Sequence, residues 1–598
     1  MLSSFTLQAA PVVVIPRDGL QLEGDLGSFK ASWNYENPEP NLLLATLTLE
    51  SPEAEIPPAI TVKWDVPAVD LVGVWTPNPQ SPKNNHMGMK VVSRGAQAMP
   101  LYCYFDSADR NRMSVALSDA LRPATLTGYV REEDSKLYMS IALFQEKQPA
   151  VKSYQITIRF DTRQIPFHQT LLETTRWWAA KDEYKPTPSP AAARVPLYST
   201  WYSYHQQLDP NELVEECKIG GKVGLGGIIV DDGWQTLDGN RGYAFTGDWK
   251  PDRIPDMKGF VDRVHALDQK FMLWYSVPMV GEKSEALKRF KGKTLRHVPG
   301  FGAHVLDPRY PDVREFLIGT YETAVRDWAL DGLKLDFISM FSARPAKDLT
   351  AADGRDIASV DIAVDQMMTE LIQRLKKIKP DILIEFRQPY NGPLMRKYGN
   401  MLRAVDCPNS GPINRMHIVD LRLVADDTAV HSDMIMWHPD EPVESAALQI
   451  QNILFSVPQI SVKLAQLTDE HRAMLSYWMN YWTQNRSVLL DGVFQPSGPA
   501  QNYPLIIGRD DKKMIAVLYH EMIVSPGSDA PRNIDVVNAK PDADVVLRFE
   551  KDYGRAKVQT LDVLGRTVSE KTVNLKAGVT VWKVPASGLL KIQHIPSN

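Results

Sequence analysis

Between Val195 and about residue 490 the chain repeats one local pattern: a short apolar run, a turn, then an amphipathic helical stretch. Strands and helices alternating in this way fold as a parallel sheet covered by its own crossover helices. Eight runs read as strands: Val195–Trp201, Gly227–Asp232, Phe271–Val277, Gly332–Phe337, Ile382–Phe386, Met401–Asp406, Asp433–Trp437 and Gln459–Val462. Helix signals fall between most of them. Asp209 reads as an N-cap with Pro210 at the first helical position, and Pro311 opens a long helix leading toward Asp336. Eight such strands in roughly 300 residues predict a (β/α)8 barrel. An open doubly wound sheet is the structural alternative. Its dinucleotide-binding form is disfavoured, because no G-x-G-x-x-G turn follows the first strand.

The flanks have a different period. Residues 1–175 carry strand-like runs separated by turn residues. Tyr154-Gln155-Ile156-Thr157-Ile158-Arg159-Phe160 alternates apolar and polar side chains as a half-buried strand does. An N-terminal antiparallel β-sandwich is the economical reading. A Pro- and Ala-rich stretch within 176–194 reads as an extended connector to a barrel spanning 195–495. Strand patterns return over 496–598, as in Lys513-Met514-Ile515-Ala516-Val517-Leu518-Tyr519, and predict a C-terminal antiparallel β-domain.

Charge is mixed along the chain and sums to only -5, so neither nucleic acid nor an anionic membrane is an expected partner. Three cysteines, an odd and sparse count, argue against a disulfide scaffold. The N-terminus has no basic n-region, and the apolar run Val12-Val13-Val14-Ile15 is short and preceded by Pro11. A cytoplasmic protein is expected, with homo-oligomerisation left open.

The chemistry concentrates at strand ends. Leu333-Lys334-Leu335-Asp336 places an acid at a strand's C-terminal mouth, where a (β/α)8 barrel keeps its active site. Lys334, two residues earlier, points the same way. Met401-Leu402-Arg403-Ala404-Val405 likewise ends on Asp406. Two carboxylates at two strand mouths are what glycoside hydrolysis requires, although either Asp alone also suits a helix N-cap or a loop. Ile229-Val230-Asp231-Asp232-Gly233-Trp234 puts adjacent acids at a third mouth. Buried together they need converging donors, which sugar hydroxyls supply. A solvated Asp-Asp-Gly turn is the plainer reading, and the nearby Trp234 favours a sugar pocket. Trp274 walls that pocket or fills core; the sequence alone favours core. The histidines show no H-E-x-x-H or tight Cys/His cluster, so no metal is expected. His431 and His438 flank the seventh run and read as structural rather than pocket-lining.

In this order, Val230-Asp231-Asp232-Gly233-Trp234-Gln235, Gly247-Asp248-Trp249, Leu273-Trp274, Leu306-Asp307-Pro308, Leu333-Lys334-Leu335-Asp336 and Ser461-Val462-Lys463-Leu464 resemble glycoside hydrolase family 36, mainly α-galactosidases, in a clan shared with family 27. The resemblance covers most of residues 195–480. It implies Asp336 as nucleophile and Asp406 as acid/base. It also implies Asp231, Asp232 and Lys334 as sugar-hydroxyl ligands, Trp274 as a stacking ring, and Arg403 near the 2-hydroxyl. The chain departs from the family at Glu385-Phe386-Arg387-Gln388-Pro389-Tyr390-Asn391-Gly392, where many members carry Cys-x-x-Gly-Gly-Gly-Arg. Arg387, Gln388 and Asn391 would there face the sugar's 2- and 6-substituents.

The expectation is a retaining, cofactor-independent α-galactosidase acting on α-galactoside oligosaccharides or glycoconjugates. α-N-acetylgalactosaminidase and raffinose-synthase-like galactosyl transfer remain alternatives. A non-catalytic sugar-binding barrel is the alternative from another class.

Overall fold

The computed structural model describes residues 19–84, 88–342 and 353–596. Two antiparallel sheets form the N-terminal sandwich. One has five strands and pairs Ile60–Pro67 with Lys136–Leu143; the other has six and pairs Leu42–Glu55 with Val151–Asp161. Alternating residues of both inner faces, among them Leu47, Val62, Trp64, Leu126 and Ile156, make its core.

The barrel strands are Leu197–Ser199, Gly227–Val230, Lys270–Ser276, Gly332–Asp336, Leu383–Arg387, Met401–Arg403, Ala429–His431 and Gln459–Ile460. They pair in parallel in chain order, and the last pairs with the first. Parallel bridges His431–Val457 and Ile435–Ile460 complete the ring. The seventh strand differs from expectation. Asp433-Met434-Ile435-Met436-Trp437 is buried and apolar, but the ladder runs through Ala429, Val430 and His431, opposite Met401, Leu402 and Arg403. The predicted run instead lies beyond the strand and joins the sheet's backbone ladder at one isolated bridge, Ile435 with Ile460. Apolarity marked its burial, which a loop packed over a barrel end shares with a strand.

Helix starts follow their caps. The Asp209 carboxylate accepts from the N–H groups of Asn211 (2.7 Å) and Glu212 (3.3 Å) at the head of Pro210–Lys222. Ser359 and Thr468 cap Val360–Ile378 and Asp469–Arg486 in the same way. Ahead of the barrel, the Thr187 and Ser189 hydroxyls donate to the carbonyls of Lys397 and Asn400. Ala193 packs under the barrel floor with Leu197, Ile229, Met272, Leu383, Met401 and Ala429. The C-terminal unit stacks a seven-stranded sheet on a three-stranded one over Leu518, Ile534, Val536, Leu547 and Ile592. It is mostly antiparallel, with parallel pairings at Lys513–Leu518 with Asn533–Asn538 and at Ile523–Val524 with Asp544–Phe549. Among the described residues no helix is long and apolar enough to cross a membrane.

Candidate active site

Register decides which side chains meet. Trp274, Lys334 and Glu385 are neighbours across strands three, four and five. One layer up, Ser276 pairs with Asp336, and Arg387 with Arg403. Period two keeps each strand's pair, Lys334 with Asp336 and Glu385 with Arg387, on one face. The mouth therefore gathers both charge signs in a nearly dry space.

Asp336 is 6% exposed. Its Oδ1 accepts from the Phe337 N–H (2.7 Å), Arg387 Nε (3.0 Å) and the Tyr390 hydroxyl. Its Oδ2 accepts from Trp274 Nε1 at 3.1 Å. Burial pushes its pKa up, but Arg387, Lys334 and Tyr390 outweigh it and hold the carboxyl below its ordinary range. Burial also raises the Tyr390 phenol well above its usual value, so Tyr390 stays a donor.

Lys334 forms a buried ion pair with Asp231, whose backbone N–H donates to Thr200 Oγ1 at 3.0 Å. Asp232 accepts 2.6 Å hydrogen bonds from Gln206 Nε2 and Gln235 Nε2. Burial outweighs these amides and pushes its pKa up to about 7. The tight turn that follows needs Gly233, at φ +115, where an added Cβ would run into the Gln206 backbone.

Arg403 is buried and bridges three acids. It donates to Asp433, to Asp406 Oδ1 at 2.8 Å, and approaches Glu385 at 3.5 Å. Asp433 is wholly enclosed, its Oδ2 accepting from the Tyr202 hydroxyl and the Cys407 N–H, each at 2.7 Å. Burial raises Asp433 to about 6, and also raises Glu385. Asp406 is the open member, with 40% of its side chain exposed. Desolvation in the recess lifts its pKa, yet Arg403, then Arg387 and Lys334, hold it well below the carboxylate range. These cations favour the charged form of Asp406 in the free site.

Most residues picked from sequence converge here: Asp231, Asp232, Lys334, Asp336, Arg387, Arg403 and Asp406. Gln388 and Asn391 are buried in the adjoining loop, where the Gln388 Oε1 accepts from the Val405 N–H at 3.2 Å. Trp234 stands elsewhere. It is 0% exposed, donates to the Trp274 carbonyl and packs on Trp249, Tyr275 and Trp328, so it fills the barrel wall and offers no face to a sugar. Trp274 is also enclosed, stacked on Tyr243, and its contact with the site is the indole N–H on Asp336. His431 is structural, its ring held between the Ala193 carbonyl and Gln459, and His438 is exposed. Sequence reasoning missed Tyr390, Glu385, Asp433, Tyr202 and Gln206. Glu385 was recoverable from its period-two relation to Arg387. Asp433 was hidden by the misplaced seventh strand.

A (β/α)8 barrel with ionised acids, a buried lysine–aspartate pair and two arginines at its C-terminal mouth is a barrel of the glycoside-hydrolase type. The Melibiase family model matches residues 190–492, about half the chain and the whole barrel, and the chain belongs to that family. It is a glycoside hydrolase. A search of curated proteins found no significant match. Solved structures share the fold across its length. A variant of the GH36 α-galactosidase AgaA of Geobacillus stearothermophilus, in complex with raffinose, is 15% identical with a TM-score of 0.65, covering 98% of this chain and 84% of that one. The α-galactosidase of Lactobacillus brevis is 13% identical with a TM-score of 0.64, over 97% and 85%. TtGalA of Thermus thermophilus, in complex with p-nitrophenyl α-D-galactopyranoside, is 14% identical with a TM-score of 0.52, over 79% and 97%.

Proposed function

We propose that the protein is a retaining α-galactosidase that releases terminal α-linked galactose from oligosaccharides. The observation that carries this reading is Asp336: a buried carboxylate held ionised at a strand mouth, one oxygen fully occupied by donors and the other holding only the Trp274 N–H. Oδ2 is the freer oxygen and attacks the anomeric carbon. The glycosidic C–O bond breaks, and the leaving oxygen takes a proton from Asp406. In the second step Asp406 removes a proton from water, whose oxygen displaces Asp336 and releases the sugar.

Asp406 has to gain its proton on the way to this complex. Arg403 is the group that most opposes it, and the family resemblance makes Arg403 a donor to a sugar hydroxyl as well. A hydroxyl that draws Arg403 off Asp406, while the sugar excludes water, removes the attraction that lowers the pKa and leaves the desolvation that raises it. Asp433 cannot take over the acid role, being enclosed with both oxygens engaged.

Asp231 and Asp232 read the sugar. An axial 4-hydroxyl donating to this pair marks galactose; an equatorial one forgoes a hydrogen bond to a carboxylate, a cost of about 1.5–3 kcal/mol. The raffinose held by the Geobacillus relative supports an oligosaccharide substrate. A cleft of about 410 Å3, bounded by Gln80, Lys90 and Gln97 of the sandwich and by Pro389 and Val405, lies beside the loop carrying Asp406 and suits the leaving sugars.

A panel of α-galactosides and α-glucosides, each with nitrophenyl and sugar leaving groups, tests the reading on the wild type and Asp406→Ala. The wild type should prefer galactosides by roughly tenfold to a hundredfold or more. Asp406→Ala should lose far more rate on sugar leaving groups than on nitrophenyl ones, which need little protonation. Comparable rates on both sugars would refute the galactose assignment, and equal losses on both leaving groups the acid role.

A further inference from the structure

A small three-stranded antiparallel sheet follows the third barrel strand, with Ala303–Leu306 at its centre between Met279–Gly281 and Thr294–Val298. His304 pairs across the sheet with both Val280 and His297. Glu282, two residues beyond Val280, falls on the same face. The consequence is a compact donor set: His297 Nε2 lies 2.5 Å from Glu282 Oε1, the two imidazole centroids are 4.5 Å apart, and one ligand atom from each of the three residues lies within 4.8 Å of the others.

From this geometry we propose that Glu282, His297 and His304 bind a divalent transition-metal ion of the zinc class. Two imidazole nitrogens and a carboxylate oxygen are the donors that borderline ions such as Zn²⁺ prefer, whereas Mg²⁺ and Ca²⁺ seek oxygen alone. Ligands of a tetrahedral zinc at its usual bond lengths stand about 3.3 Å apart. The Glu282 and His297 side chains are 46% and 43% exposed, so both are free to turn onto a shared ion. The set leaves a fourth position for water.

The site sits at the base of a turn that matters to the pocket. Residues 298–303 join the two histidines and carry Phe301, whose ring meets Tyr243 at 5.0 Å and Phe337 at 5.8 Å. Tyr243 in turn stacks on Trp274, the donor to Asp336. An ion across Glu282, His297 and His304 fastens both ends of this turn and so stiffens one wall of the active site. Histidines seven positions apart gave no cluster in the sequence; the turn brings them together.

Equilibrium dialysis of the full-length protein against micromolar ZnCl2, followed by metal analysis, is the test, with MgCl2 in parallel. The wild type should retain about one more equivalent of zinc than Glu282→Gln or the double variant His297→Asn/His304→Asn. Zinc should also raise the unfolding temperature of the wild type above that of either variant. Magnesium should do neither. Equal zinc retention by the wild type and the variants overturns the proposal and leaves His297 and Glu282 a surface ion pair. Should the double variant fail to fold, Glu282→Gln, altered at an exposed side chain, decides the outcome alone.

Discussion

At the scale of single residues, the site is organised around keeping Asp336 charged while it is dry. A carboxylate taken out of water tends to neutralise; here Arg387, Lys334 and Tyr390 reverse that tendency. Tyr390→Phe removes a hydrogen bond to the ionised form; the Phe337 N–H, which also reaches the phenol oxygen at 3.2 Å, keeps Asp336 Oδ1 as its acceptor. Bonds to charged groups contribute about 1.5–3 kcal/mol, which corresponds to a rise of roughly one to two pH units in the Asp336 pKa. A nucleophile must be ionised, so the acidic limb of the kcat/KM profile should move to higher pH by that amount, with the alkaline limb unmoved. An acidic limb that stays in place would show that Tyr390 does not tune the nucleophile. The charged residues were placed at strand mouths by the apolar runs before them, but an acid there suits a helix N-cap or a loop equally, and the roles given to them came from the family resemblance. Tyr390 was not legible in the sequence, because its contact depends on how the Gln388–Gly392 loop folds back over the mouth. The tryptophans misled in part for a similar reason. An indole beside an acidic pair is equally at home in a barrel wall, and only packing puts Trp234 there.

At the scale of elements, seven of the eight barrel strands lie where short apolar runs end in turn or polar residues. Their cores are recovered within a few residues, as with Gly227–Val230 and Gly332–Asp336. The seventh failed because the true strand, Ala429–His431, is shorter and less apolar than the buried run beyond it. The turn after the second strand carries more function than its length suggests. A Cβ on Gly233 would lie 2.4 Å from the Gln206 Cα, in a backbone conformation that disfavours any side chain. Gln206 would have to shift, and its amide is one of the two that hold Asp232. Gly233→Ala should therefore lower kcat/KM for α-galactosides by about tenfold or more, the scale of one lost hydrogen bond to a charged group. The circular dichroism spectrum should stay that of the wild type. Unchanged kinetics would mean that the turn does not position Asp232.

At the scale of the whole molecule, the three regions share one buried carboxylate. Asp420, on the barrel helix Gly411–Arg422, accepts from Trp75 Nε1 (3.0 Å) and Lys83 Nζ (2.8 Å) of the N-terminal region and from the Tyr503 hydroxyl (2.9 Å) of the C-terminal one. Lys83 and Asp420 are 6% and 3% exposed, so neither charge has water to fall back on. Asp420→Ala strands the Lys83 ammonium, a loss of about 3–5 kcal/mol for a broken buried pair. The denaturant midpoint of the full chain should fall accordingly. A midpoint within error of the wild type would show that this junction does not hold the regions together. A hydrophobic core running unbroken from Trp75 and Phe105 through the barrel shell to Val517 and Leu589 gives the same picture of a barrel clamped on both sides. Composition and period indicated three regions in order, but no sequence pattern ties residues 75, 83, 420 and 503, since such a contact is written only in the packing.

On this mechanism Asp336 forms a covalent bond to galactose during turnover. A fluorinated α-galactosyl fluoride, which enters the first step readily and leaves the second slowly, traps that intermediate. Mass analysis of a protease digest should find one added fluorogalactosyl group, on the peptide containing Asp336 and specifically on that carboxylate. The gluco-configured reagent should leave the peptide unlabelled. Turnover of α-galactosides with the sugar attached to another residue, or with no covalent adduct and inverted product, would rule out Asp336 as the nucleophile of a retaining enzyme.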